Sequence, residues 1–293
     1  MSLRHATAAG MFYPGMEAPC RSEVEDLVAR ARARGLGLLP DPVGGIVPHA
    51  GWAFSGATAA LVFHSLSACE SIHTFLLFGA VHRPIAAAHA AVSGEEAWET
   101  PLGKAAVDDE LAQALVDASE GFVERVPAAH QGEHSIEVQL PLIQTLFPDA
   151  RICPVAVRPS TGATAVGRAA AEAARSLSRD VAAVGSTDLT HYGGRYGFQP
   201  KGAGEEAHRW MKEQNDSAFL DRLLAFDGPG ALEHASRNSS ACGAGAAVAA
   251  LACARALGAE KAALLEHTTS HEIMPERTAE NFVGYAGILF SRG

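Results

Sequence analysis

The chain has 293 residues, 48% hydrophobic and 19% charged, enough to bury a sizeable core and unlike the composition of a disordered or fibrous protein. Its 23 Lys and Arg against 33 Asp and Glu give a net charge of −10 with histidine neutral. That balance excludes the basic footprint needed for sequence-independent nucleic-acid binding and disfavours anionic membrane surfaces.

At the N-terminus, M-S-L-R-H-A-T-A-A-G-M-F-Y-P lacks the apolar run of a signal peptide. The first helix is expected over Arg21–Ala33, closed at Gly35. Gly45–Val47 reads as a short buried strand, followed by P-H-A-G-W and a helix over Ser55–Leu66. His73–Phe78 reads as a second buried strand ending in G-A-V-H. A hairpin or loop region is expected over Ala87–Gly103, then helices over Asp108–Ala118 and Ser135–Leu146. Strands at Arg151–Val157 and Val181–Val184 flank a helix over Gly162–Leu177. Helices over Glu205–Leu224 and Cys242–Leu257 precede two β-like runs, Lys261–His267 and Phe282–Phe290.

Strands without polar alternation, separated by helices, predict an α/β fold. The expected form is a three-layer sandwich around a central, largely parallel or mixed sheet. No linker, repeat or low-complexity tract interrupts residues 1–293, so one domain is expected. Abundant alanine favours tightly packed helices. No stretch reaches the roughly 18 uninterrupted apolar residues of a membrane span. Five cysteines, Cys20, Cys69, Cys153, Cys242 and Cys253, show no C-x-x-C pair, which argues against a disulfide framework and for a cytoplasmic location.

Three histidines, His49, His82 and His191, each stand just past an apolar run read as a strand. Ligands of open α/β sheets gather outside the carboxyl ends of the strands, where loops converge on one crevice. Three imidazoles at that rim form either a metal or acid–base site, or three ordinary loop histidines satisfied by their neighbours. Asp188 could orient an imidazole there, or could simply form a turn. In H-Q-G-E-H-S-I-E-V-Q-L-P, His134 and Glu137 are spaced i, i+3 and are expected on one helix face beside Glu133. The segment is not the H-E-x-x-H zinc pattern. Cys242, read at a helix N-terminus, is expected to favour the thiolate; the alternative is a small buried residue.

Seven segments occur in one order along nearly the whole chain: A-G-M-F-Y-P (Ala9–Pro14), P-H-A-G-W-A-F-S-G (Pro48–Gly56), G-A-V-H (Gly79–His82), W-E-T-P-L-G (Trp98–Gly103), G-E-H-S-I-E-V-Q-L-P (Gly132–Pro141), S-T-D-L-T-H-Y-G (Ser186–Gly193) and the A-C-G around Cys242. As an ordered set they resemble the Memo family, also called AmmeMemoRadiSam system protein B. The resemblance implies a fold similar to class III extradiol dioxygenases, which cleave catechol rings with non-haem Fe(II). It makes His49 and His82 metal ligands, sets Cys242 where those dioxygenases have a carboxylate, and makes His191 the acid/base, with Asp188 beside it. Trp52, Glu133 and His134, from the same motifs, are read as substrate-contacting or supporting residues. G-A-V-H-R replaces a G-P-S-H-H-like stretch, so Arg83 stands where a second histidine is common.

The resemblance puts Fe(II) first among the expected metals, and a thiolate ligand, softer than a carboxylate, shifts preference toward copper or zinc as alternatives. The implied function is a metal-binding protein, an Fe(II)-dependent dioxygenase or related redox enzyme acting on a small aromatic or diol substrate. The alternatives are a non-catalytic metal-holding partner of AMMECR-like and radical SAM proteins and, third, a zinc-dependent hydrolase.

Overall fold

The computed structural model describes residues 2–36, 39–275 and 279–293. Four parallel strands form the centre of the main sheet, in the spatial order Pro42–Val47, Val181–Ser186, Thr74–Gly79, Arg151–Val157. Phe282–Ser291 extends one side antiparallel to Pro42–Val47, and Lys261–Thr269 and His191–Tyr192 both pair with it. On the other side Ala90–Val92 runs antiparallel to Arg151–Val157 and carries the parallel strand Val123–Arg125. The sheet is therefore mixed, with a parallel centre, as expected. A small second sheet joins Leu3–Arg4, Ala97–Thr100 and Gly103–Ala106.

Side-chain alternation on the central strands divides the core in two. Phe75 and Leu77 face one way with Ala182, Val184 and Ile152, against the helices Glu17–Ala33, Trp52–Leu66 and Leu140–Leu146. Leu76 and Phe78 face the other way with Val181, Ala183, Cys153 and Val155, against the helices Ala163–Ser176 and Ala244–Ala256. Both faces are covered, which is why these strands read as unbroken apolar runs. The abundant small residues set how closely the second pair of helices packs. A Cβ at Gly167 would lie 2.1 Å from the Ala249 carbonyl oxygen, so only glycine fits at that crossing.

Most expected elements are present with ends shifted by a few residues. Arg151–Val157 is matched at both ends, and the helix before the first central strand begins earlier, at Glu17. Four differences have identifiable causes. The span Ser135–Leu146 is a 3-10 turn, Glu137–Gln139, leading into a helix only from Leu140, so His134 precedes the helical segment. His134 and Glu137 consequently do not share a helix face. The expected helix Glu205–Leu224 is continuous but contains a π turn over Met211–Asp216. The helix Gly228–Asn238 went unread although Asp227 caps it through the Gly230 N–H, because Gly228 and Gly230 break its apolar periodicity. Cys242 lies outside its helix, which starts at Ala244 after Gly243.

Candidate metal centre

His49 and Asp188 leave the carboxyl ends of the adjacent strands Pro42–Val47 and Val181–Ser186, and His82 follows Thr74–Gly79. Their loops meet at one rim of the sheet, together with His134 and Cys242. Gly243 lets the Cys242 turn press against this rim, since a Cβ there would sit 2.5 Å from the Ser186 carbonyl oxygen.

His49 is at the centre and is 1% exposed. Its backbone N–H donates to Asp188 Oδ1 at 2.7 Å, and its Nδ1 lies 3.0 Å from Ser186 Oγ. The Ser186 hydroxyl has one proton, which it donates to the Ser135 carbonyl at 2.7 Å. Ser186 therefore accepts from His49 Nδ1–H, leaving Nε2 with its lone pair. That lone pair faces Cys242 Sγ at 3.1 Å. Burial lowers the His49 pKa to about 4, and His134 and His82 reinforce the shift against the pull of Asp188, so the ring is neutral at pH 7.

The His49 ring stands edge-on to two stacked imidazoles. His82 and His134 have centroids 5.2 and 5.3 Å from it, at 87° in each case, and lie 4.8 Å from each other at 22°. Glu133 holds both. Its carboxylate accepts from the backbone N–H groups of His82, His134 and Ser135, and from His82 Nδ1 at 3.0 Å. In the neutral ring this makes Nε2 the lone-pair nitrogen of His82. Burial opposes the charged form of Glu133, but the His82 hydrogen bond and charge outweigh it and hold the carboxyl far below its usual range. Conversely, burial of His82 is outweighed by Glu133, which raises the imidazole pKa. Phe12 stacks on His134 at 4.3 Å.

Two triplets each bring their donor atoms within 4.8 Å of one another, His49 with His82 and His134, and His49 with Asp188 and Cys242. His82 and Cys242 thus both flank His49, but through different triplets. The sequence singled out His49, His82 and Cys242. His134, read as a substrate-contacting or supporting residue, is brought level with them as a third imidazole.

Asp188 is buried and accepts from the N–H groups of His49 and Ala50. Burial opposes its charge, but His49 and His191 keep its pKa below the usual carboxylate value. His191 Nε2 is 3.8 Å from Asp188 Oδ2 and is a buried nitrogen with no hydrogen-bond partner among the described residues. The thiol of Cys242 departs from expectation. It stands directly before its helix, as read, but burial, with the nearby Asp188 charge, pushes its pKa up, so without a bound cation it is a thiol and not the expected thiolate.

Trp52 does not border this cavity. It is 4% exposed, stacks on Tyr13, donates Nε1–H to the Val138 carbonyl at 3.0 Å, and edges a different groove with Glu23, Arg30 and Thr58. Its role is support: it ties the helix after His49 to the segment after His134. The cavity over the imidazoles has a volume of about 770 Å³, with Phe12, Phe54, Met274, Val283 and Tyr285 among its walls. Arg195 and Tyr196 also line it, from the Gly194–Tyr196 turn directly after His191, and sequence reasoning missed both. Their signal was nearness to His191 in the chain, with no periodicity to mark it. No described helix is long and apolar enough to cross a membrane.

The profile of the family described as Memo-like protein matches residues 4–289. A MEMO1 family protein of Pyrococcus abyssi is 36% identical to the chain, covering 99% of it and 100% of the relative. One of Thermococcus kodakarensis is 36% identical with the same coverage, and one of Methanopyrus kandleri is 33% identical over 99% of each chain. With a family profile over residues 4–289 and relatives matched from end to end, the chain belongs to the Memo family.

Proposed function

We propose that His49, His82 and Cys242 hold one transition-metal ion, Fe(II) in first place, in a redox site for a small aromatic or diol substrate. The observation that carries this reading is the bare His49 Nε2 facing Cys242 Sγ at 3.1 Å, with the His82 and His134 rings alongside. Two imidazole nitrogens and a sulfur suit a borderline or soft cation, and oxygen-seeking ions such as Mg²⁺ fit them poorly. Both imidazoles have their second nitrogen engaged, by Ser186 and by Glu133, the support that metal-ligating histidines generally have. An extradiol dioxygenase-like architecture accords with the mixed sheet and with a site outside the carboxyl ends of its parallel strands.

A redox ion held there supplies electron transfer toward dioxygen and a Lewis-acidic contact for a diol. The chain's own groups do the rest. His191, its Nε2 unpartnered and near Asp188, takes or returns a proton at a substrate hydroxyl, and Asp188 keeps that ring oriented. Apolar walls exclude water around the bound ring. The Cys242 thiol loses its proton when the cation binds, so metal uptake weakens as pH falls.

The test is the metal content of protein purified without chelators or added metal, compared with Cys242→Ser. We expect a stoichiometric transition ion and at least about tenfold weaker retention in the variant. Anaerobic Fe(II) loading, followed by O₂ uptake on a catechol panel, checks turnover, which His191→Ala should abolish. Absence of uptake with every substrate would turn the reading to a metal-holding partner, with AMMECR-like and radical SAM proteins as candidate associates. A second reading rests on the His49, His82 and His134 triplet, a donor set suited to zinc and to metal-assisted hydrolysis. It requires unchanged metal content in Cys242→Ser and loss in His134→Ala.

A further inference from the structure

We propose that Arg195 is a carboxylate-recognition residue in the wall of the site cavity, so that the natural ligand is an aromatic or apolar acid. This deepens the reading of the cavity as a substrate site and does not require turnover. Arg195 is exposed on the cavity wall, and its guanidinium pairs with no carboxylate among the described residues. It is also the one Lys or Arg among the described residues lining the cavity, in a protein of net charge −10. The one lining carboxylate, Asp188, is already engaged by the His49 and Ala50 N–H groups.

The backbone that presents Arg195 is fixed. Gly193 has φ +117°, and a Cβ there would lie 2.3 Å from the Glu280 carbonyl oxygen. The Arg195 N–H donates to Asn281 Oδ1 at 2.9 Å, and the next residue, Tyr196, packs on the His191 ring at 5.1 Å. A guanidinium on such a turn offers a planar fork matched to a carboxylate, beside walls that include Phe12 and Phe54. One permanent positive charge balances a carboxylate monoanion. A phosphate dianion would gain from a second Lys or Arg, and the described lining offers none.

Ligand-observed NMR titration of the purified 293-residue chain with benzoate and with the neutral isostere benzamide tests the assignment without involving redox chemistry. Benzoate should bind the wild type about tenfold or more tightly than benzamide. Arg195→Gln should erase the difference, and Arg195→Lys, keeping charge but losing the fork, should restore part of it. Equal binding of the two probes, no binding of either, or a benzoate preference that survives in Arg195→Gln would overturn the proposal. Tighter binding of phenylphosphonate than of benzoate would overturn it in favour of a phosphate-type ligand. Failure of O₂ uptake with the Arg195-dependent preference intact would sink only the dioxygenase reading.

Discussion

His130 sits in the interior with 0% exposure, donating Nε2–H to the Ala91 carbonyl at 3.1 Å while Nδ1 has no partner among the described residues. Burial, aided by the nearby Arg4 charge, lowers its pKa to about 4 from the ordinary 6.5. Below pH 6.5 the unfolded chain takes up a proton that the native state refuses. Stability is therefore complete above pH 6.5 and falls as pH drops toward 4, by up to about 3 kcal/mol for this residue. His49 acts in the same sense. Chemical denaturation at intervals from pH 6.5 to 4.5 should give a flatter pH dependence in His130→Gln than in the wild type. Parallel curves would mean that this imidazole does not contribute. The residue-scale signal in the sequence was uneven. His49, His82 and His191 stood out because each ends an apolar run, whereas His130 and His134 lie in an irregular segment where spacing says nothing about direction.

The π turn Met211–Asp216 lies between two helical segments and directs Asp216 inward. Fully buried, Asp216 accepts from the Thr190 N–H at 3.1 Å and the Thr190 hydroxyl at 2.5 Å, and lies 3.3 Å from His267 Nε2. Asn215 donates to the same hydroxyl oxygen at 2.9 Å. Gly284 makes room, since a Cβ there would lie 2.0 Å from Asp216 Oδ2. Thr190 stands between Asp188 and His191, so an element 26 residues away anchors the loop that carries both. Thr190→Val removes the hydroxyl and leaves Asp216 and Asn215 short of a partner, which should destabilise the fold by about 1–3 kcal/mol. Amide exchange over residues 187–192 should quicken more than elsewhere. Uniform loss of protection with no local excess would deny the anchoring role. Helical periodicity marked residues 205–224 as one helix, but an extra residue in one turn leaves no compositional trace.

Across the whole molecule the N-terminal segment is tied to the site by a buried ion pair. Arg4 Nη1 and Glu137 Oε2 are 2.7 Å apart with both side chains at 0% exposure. Arg4 also donates to the carbonyls of His130 and Glu133 and covers the Trp98 ring at 4.0 Å. Glu137 collects the N–H groups of Thr7 and Ala8 and the Tyr13 hydroxyl. Burial opposes the Glu137 charge, but these donors and Arg4 keep its pKa below the usual value. Residues 4–13 and 130–137 are thereby locked together beneath the Phe12–His134 stack. Arg4→Met leaves a buried carboxylate without its cation and should cost about 3–5 kcal/mol. Arg4→Met with Glu137→Gln should cost less than the sum of the single changes in denaturant titrations. Additive losses would show that the two side chains act separately.

Hydrophobic periodicity, glycine placement and chain-long motif order determined the α/β class, the strands of the parallel centre and the family, because they follow from local backbone preference and from which faces must be buried. They also brought His49, His82 and His191 to one rim, since strand ends in such sheets converge. Only the tertiary structure decided that His134 turns toward His49 while Glu137 turns to Arg4, that burial raises the Cys242 thiol pKa, and that Arg195 lines the cavity unpaired. Those outcomes depend on desolvation and on partners more than a hundred residues away or contributed by other loops, and neither is encoded in local spacing.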